Sequence, residues 1–301
     1  MGKRKRWGKK HKDTRDWKLY NERLVQRGEF YLRPRFLQTW LPELGVMNAG
    51  KEGVPYLYPQ SLIEFLAVLH AKSFDFRALM GMLRALSRQY NSFPVISFSQ
   101  ICRRINALDV KFDADDNSMV VGVDGSGIKV TNRGEWMRKM WSTTPKRGWI
   151  KVTLLGNTKG DIVDVKIGSE NLDERKAART LVRKHKKKVQ KLLADGLHDD
   201  KKTFNLCKKL KIEPVIKIRS NASEKADGSF LRKQCVKEYK ELGYKRWAKA
   251  KQYGLRWPCT EGIFSAVKRI FGECVHAVKK RFMYQEARLK FWAYHQLLHL
   301  A

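Results

Sequence analysis

Near residue 119 the apolar residues of this chain change period, and that change fixes the broad class of fold. Between Tyr58 and Leu108 they recur at helical spacing: Leu62, Phe65, Leu66 and Leu69 form one stripe, and Phe76, Leu79, Met80, Leu83 and Leu86 a second. A third short helix follows SFPVISFS, with Ser97 or Ser99 as its cap and Ile101, Ile105 and Leu108 facing inward. After KFDADDNS the apolar residues come in short runs, MVVGVD, SGIKVT, IKVTLLGN and DIVDVKIG, which read as four strands with Gly, Asn or Asp turns between them. Next come a helix over DERKAARTLVRKHKKKVQ, a strand over KLLAD, a helix over DDKKTFNLCKKLK and a strand over EPVIKI. Residues 219–258 read as irregular and basic; two helices close the chain, one from near Cys259 and one over roughly 284–300. This order predicts an α/β fold, a mixed sheet flanked by helices and preceded by a small all-α module.

The expected divisions are a basic arm over 1–18, a helical module over 19–112 for DNA binding or dimerisation, and a second domain over 118–301. The outward side of the third helix offers Gln100, Arg103 and Arg104. That pattern suits either the last helix of a helix-turn-helix or a solvated face of a supporting module.

Charge narrows the partners. The chain of 301 residues carries 63 Lys and Arg against 30 Asp and Glu, a formal net charge of +33, while 43% of its residues are hydrophobic. That is a foldable core inside a strongly cationic surface, which favours polyanions, nucleic acid first. No apolar run reaches the ~18 residues of a membrane span, and the basic start MGKRKRWGKKHK leads into no signal core. A cytoplasmic protein is expected. The cysteines, Cys102, Cys207, Cys235, Cys259 and Cys274, form no CxxC pair and read as reduced, small hydrophobes. His295 and His299 are spaced as zinc ligands would be, but HQLLH lacks the metalloprotease glutamate, and packing is the expected role.

Against this basic background certain acids stand out. Asp124 ends the apolar run MVVGVD, and Asp195 ends KLLAD, each followed by Gly. A carboxylate at the edge of a core is costly to desolvate unless a cation or strong donors meet it. One Asp-Gly is an ordinary turn pair; two in matching contexts suggest a shared cation. Glu261 opens PCTEGIFSAVKRIFGE, where Ile263, Phe264, Val267, Ile270 and Phe271 make the buried stripe; at about 100° per residue Glu261, Ser265 and Lys268 point elsewhere. Asp199 and Asp200 precede a helix and read as caps. Trp257 reads as a core residue, with stacking on an unpaired base as its other possible role.

Three stretches, VGVDGSGIKV, LLADGLHDDKKTFNLCKKLKIEPVIKIRSNA and RWPCTEGIFSAVKRIFGE, resemble in wording and order the DDE-type transposases of bacterial and archaeal insertion sequences. The likeness runs from about residue 56 to the end. It implies an RNase H-like catalytic domain, the fold shared with retroviral integrases, and a catalytic, metal-binding triad of Asp124, Asp195 and Glu261. The third stretch also resembles a signature of one large group of these enzymes: Tyr, two residues, Arg, three residues, Glu, six residues, Lys. Tyr253 and Arg256 keep its first spacing and Glu261 and Lys268 its last, while four residues separate Arg256 from Glu261 in place of three.

Such a triad is the oxygen-ligand set that Mg²⁺ or Mn²⁺ prefers, and three carboxylates suffice for two ions per site. Asp124 would bridge both ions, with Asp195 and Glu261 each completing one. Lys268, Tyr253, Arg256, Arg103 and Arg104 are the expected DNA contacts. The implied activity is binding of the element's terminal inverted repeats, cleavage at its ends and transfer of the 3′ ends to target DNA, by a homodimer at the prokaryotic nucleoid. A transposase-derived DNA-binding protein without catalysis, and an RNase H-like nuclease or resolvase, are the alternatives.

Overall fold

The computed structural model describes residues 16–32, 34–90, 93–112, 119–130, 148–225 and 227–300. Most of the expected basic arm and of the acidic KFDADDNS stretch lie outside the described residues. The first part of the chain is helical: α1 (Trp17–Leu32), α2 (Phe36–Asn48), α3 (Gln60–Ala71), α4 (Phe76–Gln89) and α5 (Phe98–Ala107). α3 is buried on nearly every side, through Leu62, Ile63, Phe65, Leu66, Ala67, Val68 and Leu69, so the other helices pack around it. Asp75 caps α4 by accepting from the N–H groups of Arg77 and Ala78 at 2.8 and 2.9 Å, and Ser97 caps α5. The sequence reading passes over α1 and α2. α1 buries no residue at all, so no apolar stripe marks it.

The rest builds the sheet from β1 (Met119–Val130), β2 (Trp149–Asn157), β3 (Ile162–Ser169), β4 (Val189–Ala194), β5 (Glu213–Ile216) and the short β6 (Cys274–Val275). Between and after them come α6 (Glu174–Lys184), α7 (Lys201–Leu210), α8 (Phe230–Ala250), α9 (Arg256–Cys259), α10 (Glu261–Phe271) and α11 (Lys280–Leu298). The strand order is β3-β2-β1-β4-β5, with β6 pairing the far end of β1. β1, β2 and β3 run antiparallel as consecutive hairpins; β4 and β5 lie parallel to β1 and are reached through helices, as parallel strands require. This is the mixed, helix-flanked sheet expected, and it is consistent with an RNase H-like fold.

Each face has its own core. Val121, Val123, Leu155 and Leu192 meet α6 and α7 on one side. On the other, Ile128, Val152 and Leu154 meet Ile263 and Val267 of α10 and Phe291 and Trp292 of α11, and the same cluster continues without a break into Leu62, Phe65 and Leu66 of α3. The helical module and the sheet therefore share one core.

Four local expectations change. MVVGVD and SGIKVT are one strand of 12 residues, because Asp124-Gly125 stays in register with β2 and makes no turn. The helix expected over DERKAARTLVRKHKKKVQ stops at Lys184, and Val189 already belongs to β4. The supposedly irregular 219–258 holds α8 and most of α9; α8 spans 21 residues but is broken at Gly243, whose φ of 68° is not helical, and it buries only Val236 and Trp247, too little to leave a stripe in the sequence. The closing helix begins at Lys280, a turn earlier than expected. No helix among the described residues is long and apolar enough to cross a membrane.

Candidate active site

The sheet splits where β4 ends. In the parallel register Val123 of β1 faces Ala194 of β4; one residue on, β1 continues through Asp124 opposite Leu154 of β2, while the other chain leaves its strand at Asp195. Neighbouring strands stand about 4.8 Å apart, so the two aspartates emerge side by side at the split. Asp124 is thus mid-strand, a correction to the strand end read from the sequence, yet it sits where the flanking strand stops and the backbone opens. Asp195 also closes the next turn, accepting from Leu197 N–H at 2.9 Å.

Glu261 reaches the same place from the opposite side of the chain. α9 lies directly on the sheet because β1 and β2 carry glycine beneath it. A Cβ on Gly122 would meet the Cys259 Cβ at 2.5 Å, and one on Gly156 would strike the Cys259 carbonyl. The Thr260 hydroxyl, wholly buried, donates to the Arg256 carbonyl at 2.9 Å and pins the corner between α9 and α10. Glu261 follows as the first residue of α10, solvent-exposed at the helix N-terminus.

Arg256 joins the strand to the helix. Its Nη1 lies 3.3 Å from Asp124 Oδ2, and its Nη2 donates to Glu261 Oε1. The other Asp124 oxygen, Oδ1, accepts the Gly125 N–H at 2.9 Å. Burial pushes the Asp124 carboxyl above its ordinary pKa; the Gly125 N–H and Arg256 pull it back, and the charges of Asp195 and Glu261 push it up further. The other two acids are therefore both near enough to act on Asp124.

The remaining candidates fall in different places. Lys268 stands on α10 with Nζ 2.9 Å from Ser126 Oγ, two residues along β1 from Asp124. Tyr253 is buried against Trp247, and its hydroxyl donates to the Ala194 carbonyl at 3.3 Å, bracing the strand that leads to Asp195; burial raises its pKa to about 12. Arg103 is exposed on α5, Arg104 lies over the Tyr58 ring at 5.3 Å, and neither contacts the three acids. Trp257, expected in the core, is instead 59% exposed beside Glu261, since a four-residue helix covers little and its outward side is open.

Sequence reasoning missed the frame under Asp195. Asp200 caps α7 as expected, but Asp199 is fully buried and takes Arg232 of α8 through Nε at 2.6 Å and Nη2 at 3.1 Å, together with the Arg219 N–H at 3.1 Å. Arg219 in turn donates to the carbonyls of Gly196 and Leu197. Nothing in the local pattern separates Asp199 from its capping neighbour; its partner is 33 residues away.

The three acids offer oxygen donors alone, the set a hard divalent cation takes. Among the described residues no group of three or more His, Cys, Asp or Glu side chains is gathered tightly enough to enclose an ion, and the Arg256 guanidinium stands between two of the three carboxylates here. The donor chemistry fits such an ion, while one oxygen each of Asp124 and Glu261 is engaged by Arg256. A family model described as a transposase DDE domain matches residues 117–295, the stretch that carries all three acids, and a second model of the same description matches residues 25–133.

Proposed function

The chain belongs to the DDE transposases, enzymes that act on DNA and generally use divalent metal ions, and from that premise we propose that Asp124, Asp195 and Glu261 are its catalytic triad. On this reading it binds the terminal inverted repeats of an insertion sequence, breaks phosphodiester bonds at the element ends and joins the freed 3′ ends to a second DNA. The observation that carries it is that Asp124 and Asp195 both follow directly on the last β1–β4 pair, while Arg256 ties Glu261 to Asp124.

Two Mg²⁺ or Mn²⁺ ions held there would lower the pKa of the attacking water or 3′ hydroxyl and stabilise the leaving oxygen. Asp124 would be the central ligand, because it and Asp195 each follow directly on the last β1–β4 pair and it shares Arg256 with Glu261. The strand fixes its backbone, which pairs opposite Leu154 of β2, and so sets the point from which the carboxylate extends. Lys268, whose Nζ reaches Ser126 Oγ two residues along β1 from Asp124, would hold a phosphate next to the cut. The exposed ring of Trp257 would stack on an unpaired base near Glu261. The surrounding field of a +33 chain holds the strands, and the acids hold the metals. Two element ends must be processed together, which makes a homodimer the working form.

The test is nicking and strand transfer on DNA bearing the element's terminal repeats, with Mg²⁺ or Mn²⁺. Wild-type protein is expected to nick the repeat ends and join them to a second DNA, and Asp124→Ala to abolish both. Nicking that survives Asp124→Ala overturns the triad; nicking without joining makes the chain a nuclease.

A further inference from the structure

The geometry points to Arg256 as a displaceable counter-cation of the acidic cluster: its guanidinium occupies Asp124 and Glu261 until a divalent ion takes their oxygens, so loading the site requires Arg256 to leave. The inference rests on the triad reading above and adds to it a residue that competes with the metal.

The argument starts from the cost of gathering carboxylates. Asp124 and Glu261 come from β1 and α10 and are brought toward Asp195 by the packing of α9 on glycine, not by any attraction between the acids. Three anions at a half-buried split repel one another, and burial alone already disfavours the charged form of Asp124. The folded chain meets that cost with one fork. A guanidinium has five N–H donors in a plane and can serve two carboxylates at once, which an ammonium cannot do as well. Arg256 uses Nη1 on Asp124 and Nη2 on Glu261, its side chain is 17% exposed, and its charge rests 5.9 Å from the centre of the Tyr253 ring.

The same oxygens are the ones an ion needs. Asp124 has one oxygen committed to the Gly125 N–H, so Oδ2, the oxygen facing Arg256, is its outward ligand atom. Oδ2 has a second lone pair, but a divalent ion there would stand beside the guanidinium charge, and the two cations repel each other. Lys268 is a useful contrast, a second cation on the same helix pair whose Nζ goes to a hydroxyl, Ser126 Oγ, and to neither acid.

The experiment is calorimetric titration of the full-length protein with Mn²⁺ alone, without DNA, alongside its melting temperature in EDTA. Arg256→Gln is expected to bind Mn²⁺ roughly tenfold more tightly than wild type, as the loss of a part-buried ion pair implies. Arg256→Lys keeps the charge and loses the fork, and is expected in between; Lys268→Gln reports the effect of charge alone, with a change of less than about twofold. In EDTA Arg256→Gln melts below wild type, and Mn²⁺ restores it. Arg256→Lys indistinguishable from wild type, or Arg256→Gln no tighter than Lys268→Gln, overturns the inference while leaving the triad standing. Should Arg256→Gln fail to fold, Arg256→Lys against Lys268→Gln decides alone. Asp124→Asn that binds Mn²⁺ as wild type does overturns the triad itself, and this inference with it.

Discussion

Asp199 is buried and Asp124 half-buried, and the molecule treats these two aspartates in opposite ways. Asp199 is wholly enclosed and fully met: two nitrogens of Arg232 and one backbone N–H satisfy its two oxygens. Asp164 of β3 is similar, with Lys184 at 2.7 Å, His185 at 3.0 Å and the Val165 N–H at 2.8 Å; burial pushes its pKa up, and the bonds to His185 and Lys184 more than offset that, leaving it below the ordinary value. Asp124 has one backbone N–H and a share of one arginine, with two further acids beside it, and its pKa is raised. A basic chain has cations to spare, so an acid left short of partners reflects where the backbone puts it. The difference sorts acids that hold the fold from acids available to something outside it.

The comparison breaks first at Asp199. Replacing it with Ala leaves the part-buried Arg232 guanidinium without its partner, at a cost of about 3 kcal/mol in urea unfolding. A loss under 1 kcal/mol would place Asp199 with the surface acids. Gly122→Ala disturbs the under-met cluster without touching a charge, since its methyl must push α9, and with it Glu261, off the sheet. About 2 kcal/mol of stability is expected to go, with a larger fall in kcat than in substrate binding.

Asp164→Asn carries a smaller cost, roughly 1 kcal/mol, because Lys184 regains water easily. Its sign is set by pH. A carboxylate whose folded pKa is depressed contributes stability that is present above its unfolded pKa and disappears as pH falls through the folded value. The melting difference between wild type and Asp164→Asn is therefore expected to be full at neutral pH and to close below about pH 4. Asp124→Asn is the smallest effect on the fold and the reverse in sign. Its raised pKa means that the folded state disfavours the ionised acid, so neutralising it at pH 7 is expected to leave the melting temperature unchanged or higher. A marked drop would move Asp124 into the structural set.

Local pattern carried much of this into the sequence. Strand alternation, the Asp-Gly after KLLA and the stripe behind Glu261 are short-range features, and the sheet, Asp195 and α10 follow from them. Arg256 was visible only as a spacing, since its bridge to Asp124 spans 132 residues. α8 hid because a helix that buries two residues writes no period, and Trp257 misled because an apolar ring says nothing about which side of a short helix is covered. The continuity of β1 through Asp124-Gly125 also escaped, since a turn pair and a strand glycine look alike until the partner strand is known.

The common core of α3, α11 and β2 has a consequence for how this protein is divided. One family match begins at residue 117, between the helical part and the sheet. A fragment cut there would leave the wall formed by Phe291, Trp292 and Leu297 stripped of the α3 side chains that roof it. The stretch matched over 117–295 thus lacks part of the core it packs into, and a load on the leading helices would be felt at the sheet through the side chains that the two parts share.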